Sequence, residues 1–311
     1  MIKAFKKRRT LFKAPSRIWF APHIRNLKTV SEHAPQQAAD LAFALFCTPL
    51  SSERREARHF FLVQRARPFL SSAQHHIIKT PRGDIPTYIF EPERSTPHAI
   101  VLIAHGWTAE SSFMALFAER LRQTGYKAIL MDAPAHGKSK KRKASLIDYT
   151  GSVLSVAQAY KADYAIAHSM GCLAVLHAGS GGPPFYQAHQ FKKYVLLAPP
   201  NKLSKITYEF AKVRNMSDRA RMAFEKHLER IAHRPLLSYS GVDLLSSGKT
   251  APPTLLIHSR DDFEIPICNS EEIALHYKNS SLLTFEGLGH RKILSAPPVV
   301  KAAIEFLRTP A

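Results

Sequence analysis

The chain has 311 residues, of which 45% are hydrophobic and 22% are charged, and this composition excludes disorder along the whole chain. It carries 44 Lys and Arg against 24 Asp and Glu, a formal net charge of +20, which favours association with acidic surfaces such as anionic lipid or nucleic acid. Its three cysteines, Cys47, Cys172 and Cys268, are far apart and form no C-x-x-C pair, which argues against both a disulfide framework and a zinc site.

The N-terminal segment differs from the rest of the chain. Residues 1–28 contain nine Lys or Arg and no acidic residue, with four aromatic side chains among them. The composition favours a solvated tail followed by a packing helix at 34–46, and contact with the inner face of an anionic membrane is the alternative. Prolines and charges interrupt this segment before the apolar core of a secretory signal could form, so we expect a cytoplasmic protein.

Beyond the N-terminal segment, short apolar runs alternate with helical patterns. Such alternation is typical of a mainly parallel sheet covered by helices on both faces. The fold class is therefore α/β, with an N-terminal extension at 1–75 and one domain at 76–311. The predicted strands are 76–79, 85–90, 99–104, 128–131, 164–167, 194–198, 254–258 and 282–285, and the predicted helices are 112–124, 147–161, 170–178, 269–277 and 298–307.

Residues 201–249 break the alternation. They contain a long, charged helical pattern at 208–232 and no strand candidate, although they stand between two strands. An insert at the carboxyl edge of an open sheet lies over the ligand crevice. The sequence therefore predicts a helical lid.

A serine stands where a strand is expected to turn directly into a helix. The sequence AHSMG at 167–171 follows one predicted strand and opens the next predicted helix, which is the position of a nucleophile elbow. The tight turn needs small residues two positions before and after the serine, and Ala167 and Gly171 meet this need. Ser169 is therefore the candidate nucleophile.

Two backbone amides are candidates for an oxyanion hole. One belongs to Trp107 in the sequence HGW, which ends the strand at 99–104, and the other to Met170, the residue after the nucleophile. The next strand ends in DAPAHGKS at 132–139. These motifs, in this order, resemble the α/β-hydrolase superfamily, nearest its lysophospholipase and serine aminopeptidase branch.

The resemblance covers about residues 76–308 and implies the remaining partners of the serine. In the superfamily the acid follows a late strand and stands four residues before a proline. In the segment IHSRDDFEIP this position is Asp262, with Asp261 as the alternative. The base follows the last strand, and the segment GLGH implies His290. The order Ser169, Asp262, His290 is the one expected for this fold.

Other polar residues in these motifs have structural interpretations. His105, His136 and His168 are expected to hold their loops, because the resemblance already assigns the base, and Asp132 is expected to fasten the loop that follows it. The basic run KSKKRK at 138–143 lies near the predicted site. It is either a solvated loop or a surface that attracts anionic substrates or lipid headgroups.

The resemblance implies hydrolysis of a carboxylic ester, which includes lipid or lysophospholipid esters, through an acyl-enzyme on Ser169 without cofactor or metal. Hydrolysis of thioesters or of peptides by the same fold is the alternative. The absence of an HGGG motif weakens the peptidase hypothesis. The rival from another class is a non-catalytic basic scaffold that docks on anionic membrane or nucleic acid. Neither a helix-turn-helix nor an RNP pattern supports specific nucleic-acid recognition.

Overall fold

A computed structural model describes residues 27–49, 64, 66–93, 98–248 and 250–310. The prediction of membrane contact through the basic N-terminus therefore lies almost wholly outside the described residues. Within them, no helix combines the length and the apolar character needed to cross a bilayer.

The core of the structure is one eight-stranded sheet. The strands are β1 (Gln74–Ile78), β2 (Ile85–Phe90), β3 (Ile100–Ala104), β4 (Lys127–Met131), β5 (Tyr164–His168), β6 (Lys193–Leu197), β7 (Thr254–Ser259) and β8 (Ser280–Phe285). Their spatial order is β1-β2-β4-β3-β5-β6-β7-β8. The strand β2 runs antiparallel to both of its neighbours, and all the other pairs are parallel. All eight predicted strands are present.

Helices cover both faces of the sheet. They include α1 (Lys28–His33), α2 (Pro35–Phe46), α3 (Ala115–Gln123), α4 (Leu146–Tyr160), α5 (Met170–Ser180), α6 (Leu203–Val213), α7 (Asp218–Ala232), α8 (Gly241–Ser246), α9 (Cys268–His276), α10 (Gly289–Lys292) and α11 (Pro297–Arg308). Short 3₁₀ turns stand at Ser111–Met114, Leu236–Ser238 and Ile293–Ser295. Each helix predicted between the strands is found within two or three residues of its expected bounds.

The strands are buried on both faces because successive side chains enter different apolar cores. In β3, Leu102 packs with the cluster that includes α4 and α5, whereas Ile103 packs with the cluster that includes α3 and α11. This is the period-two alternation of a strand. It explains why the parallel strands appear in the sequence as continuous apolar runs.

The insert at 201–249 leaves the sheet at the carboxyl end of β6. The expected helical pattern at 208–232 is interrupted, so a single long helix there is the wrong description. The chain turns at Asn215, which has a φ of 54°, and Ser217 caps α7 by accepting a hydrogen bond from the amide of Ala220 at 3.4 Å. Cap-forming residues and a left-handed turn residue are favourable at such a break.

The first helices pack against the insert. The ring of Phe46 in α2 lies 5.1 Å from that of Phe210 and 5.5 Å from that of Phe224 in the insert. The hydroxyl of Ser217 donates to the carbonyl of Ser31 at 2.7 Å. The described part of the extension therefore packs against the insert through aromatic contacts and a hydrogen bond.

This packing predicts a difference in stability between two positions on α7. Phe224 is fully buried against Phe210 and Phe46, whereas Met222 is 61% exposed. Phe224→Ala should lower the free energy of unfolding by about 3–5 kcal/mol, because it leaves a cavity. Met222→Ala on the same helix should change it by less than about 1 kcal/mol. Equal losses in urea denaturation would contradict the observed packing.

Candidate active site

Ser169 occupies a strained turn between β5 and α5. Its backbone has φ 53° and ψ −125°, a conformation with positive φ that residues other than glycine rarely adopt. The turn is held because the amide of Ser169 donates to the carbonyl of Leu197 and the amide of Cys172 donates to the carbonyl of Ser169, both at 2.9 Å. Strain maintained by surrounding structure at a polar residue is a common mark of a functional site.

The small residue two positions after the serine allows α5 to approach β3 closely. A Cβ atom on Gly171 would lie 2.4 Å from the carbonyl oxygen of His105 and 3.0 Å from that of Ala104. Both of these are backbone atoms that cannot rotate away. Glycine is therefore required at this position by the packing of helix against strand.

The loop after β3 lies directly against the serine. A Cβ atom on Gly106 would stand 3.2 Å from the Cβ atom of Ser169, so the residue before Trp107 contacts the elbow. Met170 is the first residue of α5, and the amides of the first turn have no acceptor within the helix. They also form the positive end of the helix dipole. The structure thus places Met170 and Gly106, the residue before Trp107, beside Ser169.

His290 and Asp262 form a buried hydrogen-bonded pair. The Nδ1 atom of His290 lies 2.7 Å from Oδ2 of Asp262, and the other carboxylate oxygen accepts from the amides of Glu264 and Ile265 at 2.8 Å each. Burial alone would raise the pKa of Asp262, but the charge of His290 and hydrogen bonds from His258, His290 and the amide of Ile265 hold the pKa below its ordinary value. An ionised carboxylate only accepts, so Nδ1 carries the proton and donates it.

The base lies next to the elbow. The rings of His168 and His290 are 4.6 Å apart, and Nε2 of His168 donates to the carbonyl oxygen of His290 at 2.9 Å. Burial holds the pKa of His168 well below its ordinary value, so this imidazole is neutral. His168 directly precedes Ser169, and its hydrogen bond therefore ties the loop of His290 to the elbow.

The hydroxyl of Ser169 has no structural hydrogen bond. Its Oγ atom is buried and lacks a partner among the described residues. Unpaired buried hydroxyls are rare and call for an explanation. Hydrogen bonds between a nucleophile and its base are often formed fully only when substrate is bound.

The two neighbouring aspartates have different partners. Asp261 accepts from the amides of Gly287 and Gly289, at 2.9 and 3.3 Å, and from the hydroxyl of Ser259. These hydrogen bonds hold the pKa of Asp261 below its ordinary value despite the opposing effect of burial. Asp261 therefore fastens the loop that carries His290, while Asp262 contacts His290 itself.

The other polar residues of the motifs are held in loops. The Nε2 atoms of His105 and His136 accept from the amides of Ala133 and Thr108, at 3.0 and 3.1 Å, and their Nδ1 atoms bond backbone carbonyls. Asp132 accepts from the amides of Ser111 and Lys138, from the hydroxyl of Ser111 and from the hydroxyl of Tyr88. These contacts agree with the structural roles expected for His105, His136 and Asp132.

Sequence reasoning missed two features of the site. Glu264 and Arg291 form an ion pair, with Nε of the arginine 2.9 Å from Oε1 of the glutamate. Glu264 stands two positions after the acid and Arg291 one position after the base. These opposite charges were the signal in the sequence that could have predicted the ion pair. The second feature is His258, whose side chain approaches Asp262 at 3.4 Å.

A metal centre has no candidate ligands in the described part of the chain. No group of three or more His, Cys, Asp or Glu side chains there is arranged to hold an ion. Cys47 and Cys172 are buried and Cys268 is exposed, and all three are free thiols.

Comparison with family models gives two adjoining matches. Residues 95–236 match the model described as serine aminopeptidase, S33, and residues 233–311 match that described as TAP-like protein. Together, the two matches cover all the segments that hold the motif residues. The chain has the α/β-hydrolase fold. The resemblance inferred from the motifs is thereby confirmed.

Solved structures give the same fold for this α/β-hydrolase. An esterase from Thermogutta terrifontis superposes with a TM-score of 0.59 at 17% identity, over 78% of this chain and 95% of its own. Est1E from Butyrivibrio proteoclasticus superposes with a TM-score of 0.59 at 19% identity, over 76% of this chain and 98% of its own. A search of curated proteins returned no match.

The close approach of α5 to β3 predicts the effect of one added methyl group. Gly171→Ala should lower the free energy of unfolding by about 1–3 kcal/mol, because the new Cβ atom overlaps the backbone oxygen of His105 and forces helix and strand apart. Equilibrium urea denaturation measures this change. A variant as stable as the wild type would show that the turn tolerates a larger separation than the structure indicates.

Proposed function

We propose that this α/β-hydrolase is a serine hydrolase that cleaves carboxylic esters through an acyl-enzyme on Ser169. The observation that carries the proposal is the buried, unpaired hydroxyl of Ser169 on a strained turn. The preceding residue on that turn, His168, has its ring 4.6 Å from the ring of His290. His290 in turn donates to an ionised Asp262. This is the arrangement of nucleophile, base and orienting acid that activates a serine.

The proposed reaction has two halves. Ser169 Oγ attacks the ester carbonyl while Nε2 of His290 takes the hydroxyl proton, and the amides of Met170 and Trp107 donate to the oxyanion. The tetrahedral species expels the alcohol, which receives the proton from His290. Water then attacks the acyl-enzyme, with His290 again as the base, and releases the acid. Asp262 stabilises the imidazolium in both halves.

The choice of an ester rests on the structural neighbours. The Thermogutta terrifontis enzyme is described as an esterase, with propionate or butyrate bound, and Est1E was solved with ferulic acid. The family model over residues 95–236 is instead named for an aminopeptidase. Amide hydrolysis by the same site is thus the alternative to ester hydrolysis. Thioester hydrolysis is the reaction most similar to the proposed one. Comparing p-nitrophenyl esters with aminoacyl p-nitroanilides separates the first two.

The insert at 201–249 is proposed to shape the substrate pocket as a lid. It leaves the sheet at the end of β6, beside the strand that leads to Ser169. It is also tied to the segment after the acid, because the amide of Asn201 donates to Oδ1 of Asn269 at 3.1 Å. The side chain of Asn201 in turn accepts from the amide of Val242 at 3.3 Å.

The nucleophile and the base are tested by labelling with a fluorophosphonate probe. Wild type should label, Ser169→Ala should not label at all, and His290→Ala should label far more slowly, because the serine loses its base. Ser180→Ala at the other end of α5 and the exposed His276→Ala serve as matched controls and should label like wild type. Labelling that survives Ser169→Ala would place the nucleophile elsewhere.

The two aspartates should differ in their effect on turnover. Asp262→Asn should lower kcat for a p-nitrophenyl ester by about 10³–10⁴, because an amide cannot stabilise the imidazolium and favours the wrong tautomer of His290. Asp261→Asn keeps an oxygen at the Oδ1 position, to which Ser259, Gly287 and Gly289 donate, so it only weakens loop hydrogen bonds. It should lower kcat by less than about tenfold. The reverse order of effects would assign the acid to Asp261.

We further propose that the basic loop at 138–143 contacts an anionic phospholipid bilayer. Lys138, Lys140, Arg142 and Lys143 are exposed, and the loop follows His136, whose ring packs 4.8 Å from that of Trp107. The loop therefore lies close to Trp107, the proposed oxyanion-hole residue. Clusters of exposed basic residues near a membrane surface are attracted by anionic lipid, at about 1 kcal/mol per residue.

Vesicle sedimentation tests this contact. A variant with Lys140→Glu, Arg142→Glu and Lys143→Glu should bind vesicles containing phosphatidylserine at least about tenfold more weakly than wild type, and wild-type binding should weaken as salt is raised. Turnover of a small soluble ester should not change. Equal binding by both proteins would reject the loop as the contact. Binding to duplex DNA but not to vesicles, without esterase activity, would favour the scaffold role.

A further inference from the structure

The acid has a second imidazole neighbour that the mechanism above does not use. His258 lies near the end of β7 and its side chain is fully buried. Its Nε2 atom is 2.8 Å from the carbonyl oxygen of Ile265 and 3.4 Å from Oδ2 of Asp262. Its Nδ1 atom is 2.7 Å from the hydroxyl of Ser270 in α9. The ring is therefore clamped between the strand before the acid and the helix after it.

The partners of His258 decide where its proton lies. A carbonyl oxygen and a carboxylate oxygen can only accept hydrogen bonds, so Nε2 of His258 carries a proton and donates it toward Ile265 and Asp262. The hydroxyl of Ser270, at the opposite nitrogen, fixes the rotation of the ring. The donated proton thus points into the turn that holds the acid.

The turn from Asp262 to Ile265 is held by hydrogen bonds to both backbone groups of Ile265. The amide of Ile265 donates to Oδ1 of Asp262 at 2.8 Å, and its carbonyl accepts from His258. Loss of the imidazole would leave a buried carbonyl without its partner, which is costly, and the turn would have to rearrange. Such a rearrangement moves the carboxylate that faces His290.

We propose that His258 is a positioning residue for the acid, and that Ser270 orients His258 for this task. The inference rests on the proposed function, because the acid it positions is the orienting acid of the triad. Through the turn, His258 keeps Oδ2 of Asp262 within 2.7 Å of Nδ1 of His290. The resulting chain of contacts runs from Ser270 through His258 and Asp262 to His290.

Other charged and titratable groups hold the same pair from different sides. Asp261 fastens the loop before His290, and the ion pair of Glu264 with Arg291 joins the acid and base loops. His168 donates to the backbone of His290. Because these contacts persist when His258 is replaced, the loss of activity on its replacement should be partial.

Three variants separate positioning from simple stability. His258→Leu removes the contacts with Ile265, Asp262 and Ser270 while keeping an apolar side chain in the buried space. His258→Gln keeps a donor near the position of Nε2, and Ser270→Ala removes only the group that orients the ring. The exposed His276→Ala in α9 is the control.

The kinetic test uses a p-nitrophenyl ester. His258→Leu should lower kcat by at least about tenfold, the effect of roughly 1.4 kcal/mol in the barrier, with KM changed by less than about twofold. The acidic limb of its kcat/KM profile should move to lower pH, because a displaced carboxylate no longer favours the imidazolium. Ser270→Ala should show a smaller loss, and His258→Gln should recover most of the activity. An unchanged kcat in His258→Leu, or equal losses in the Gln and Leu variants, would overturn the proposal.

A spectroscopic test is independent of turnover. The proton on Nδ1 of His290, bonded to the carboxylate of Asp262, should give a far-downfield ¹H NMR resonance in the wild type. It should move upfield or broaden in His258→Leu and remain in His258→Gln. An unmoved resonance in His258→Leu would reject the positioning role even if the enzyme is active. A wild type that neither labels nor turns over esters would instead reject the proposed function while leaving this resonance test in force.

Discussion

The arrangement of the site depends on how closely α5 approaches β3. The chain leaves β5 and enters α5 through a single residue, and only a glycine at 171 lets the helix pass the backbone oxygens of the neighbouring strand. Because the helix is so close, Met170 and the loop after β3 both lie beside Ser169. Ser169 itself is held with a positive φ, a sparsely populated conformation that the surrounding structure maintains.

The other half of the site is assembled from two loops at the ends of β7 and β8. Since these strands are neighbours and parallel, their carboxyl ends bring Asp262 and His290 together although 28 positions separate them. Several contacts then fix the two loops relative to each other: the amide bonds of Asp261, the ion pair of Glu264 and Arg291, and the link from His168. Contacts of this kind around a pair of polar side chains fix the distance between them.

Much of this could be predicted from the sequence. The buried parallel strands appear as continuous apolar runs, and the elbow is specified by small residues around Ser169, so both are local signals. The break at Asn215 could not be found in the same way, because an amphipathic pattern continues across it and only the cap at Ser217 marks the turn. The packing of Phe46 against Phe210 and Phe224 joins segments more than 160 positions apart, for which periodicity carries no information.

The role of His258 was likewise not available from the sequence. It stands within an apolar strand, and nothing in the pattern shows that its ring points to the turn after Asp262. The choice between Asp261 and Asp262 rested on spacing to a proline alone. The structure adds the physical reason, since one carboxylate is occupied by the amides of Gly287 and Gly289 and the other by the imidazole.

The central claim is that Ser169 carries the acyl group, and the most direct measurement is mass spectrometry of the protein quenched in acid during turnover of p-nitrophenyl butyrate. The account predicts a butyryl adduct on the peptide that contains Ser169, with an early burst of p-nitrophenol equal to the enzyme concentration if deacylation is slow. Ester turnover that persists undiminished in Ser169→Ala, or an adduct located on another residue, would contradict it.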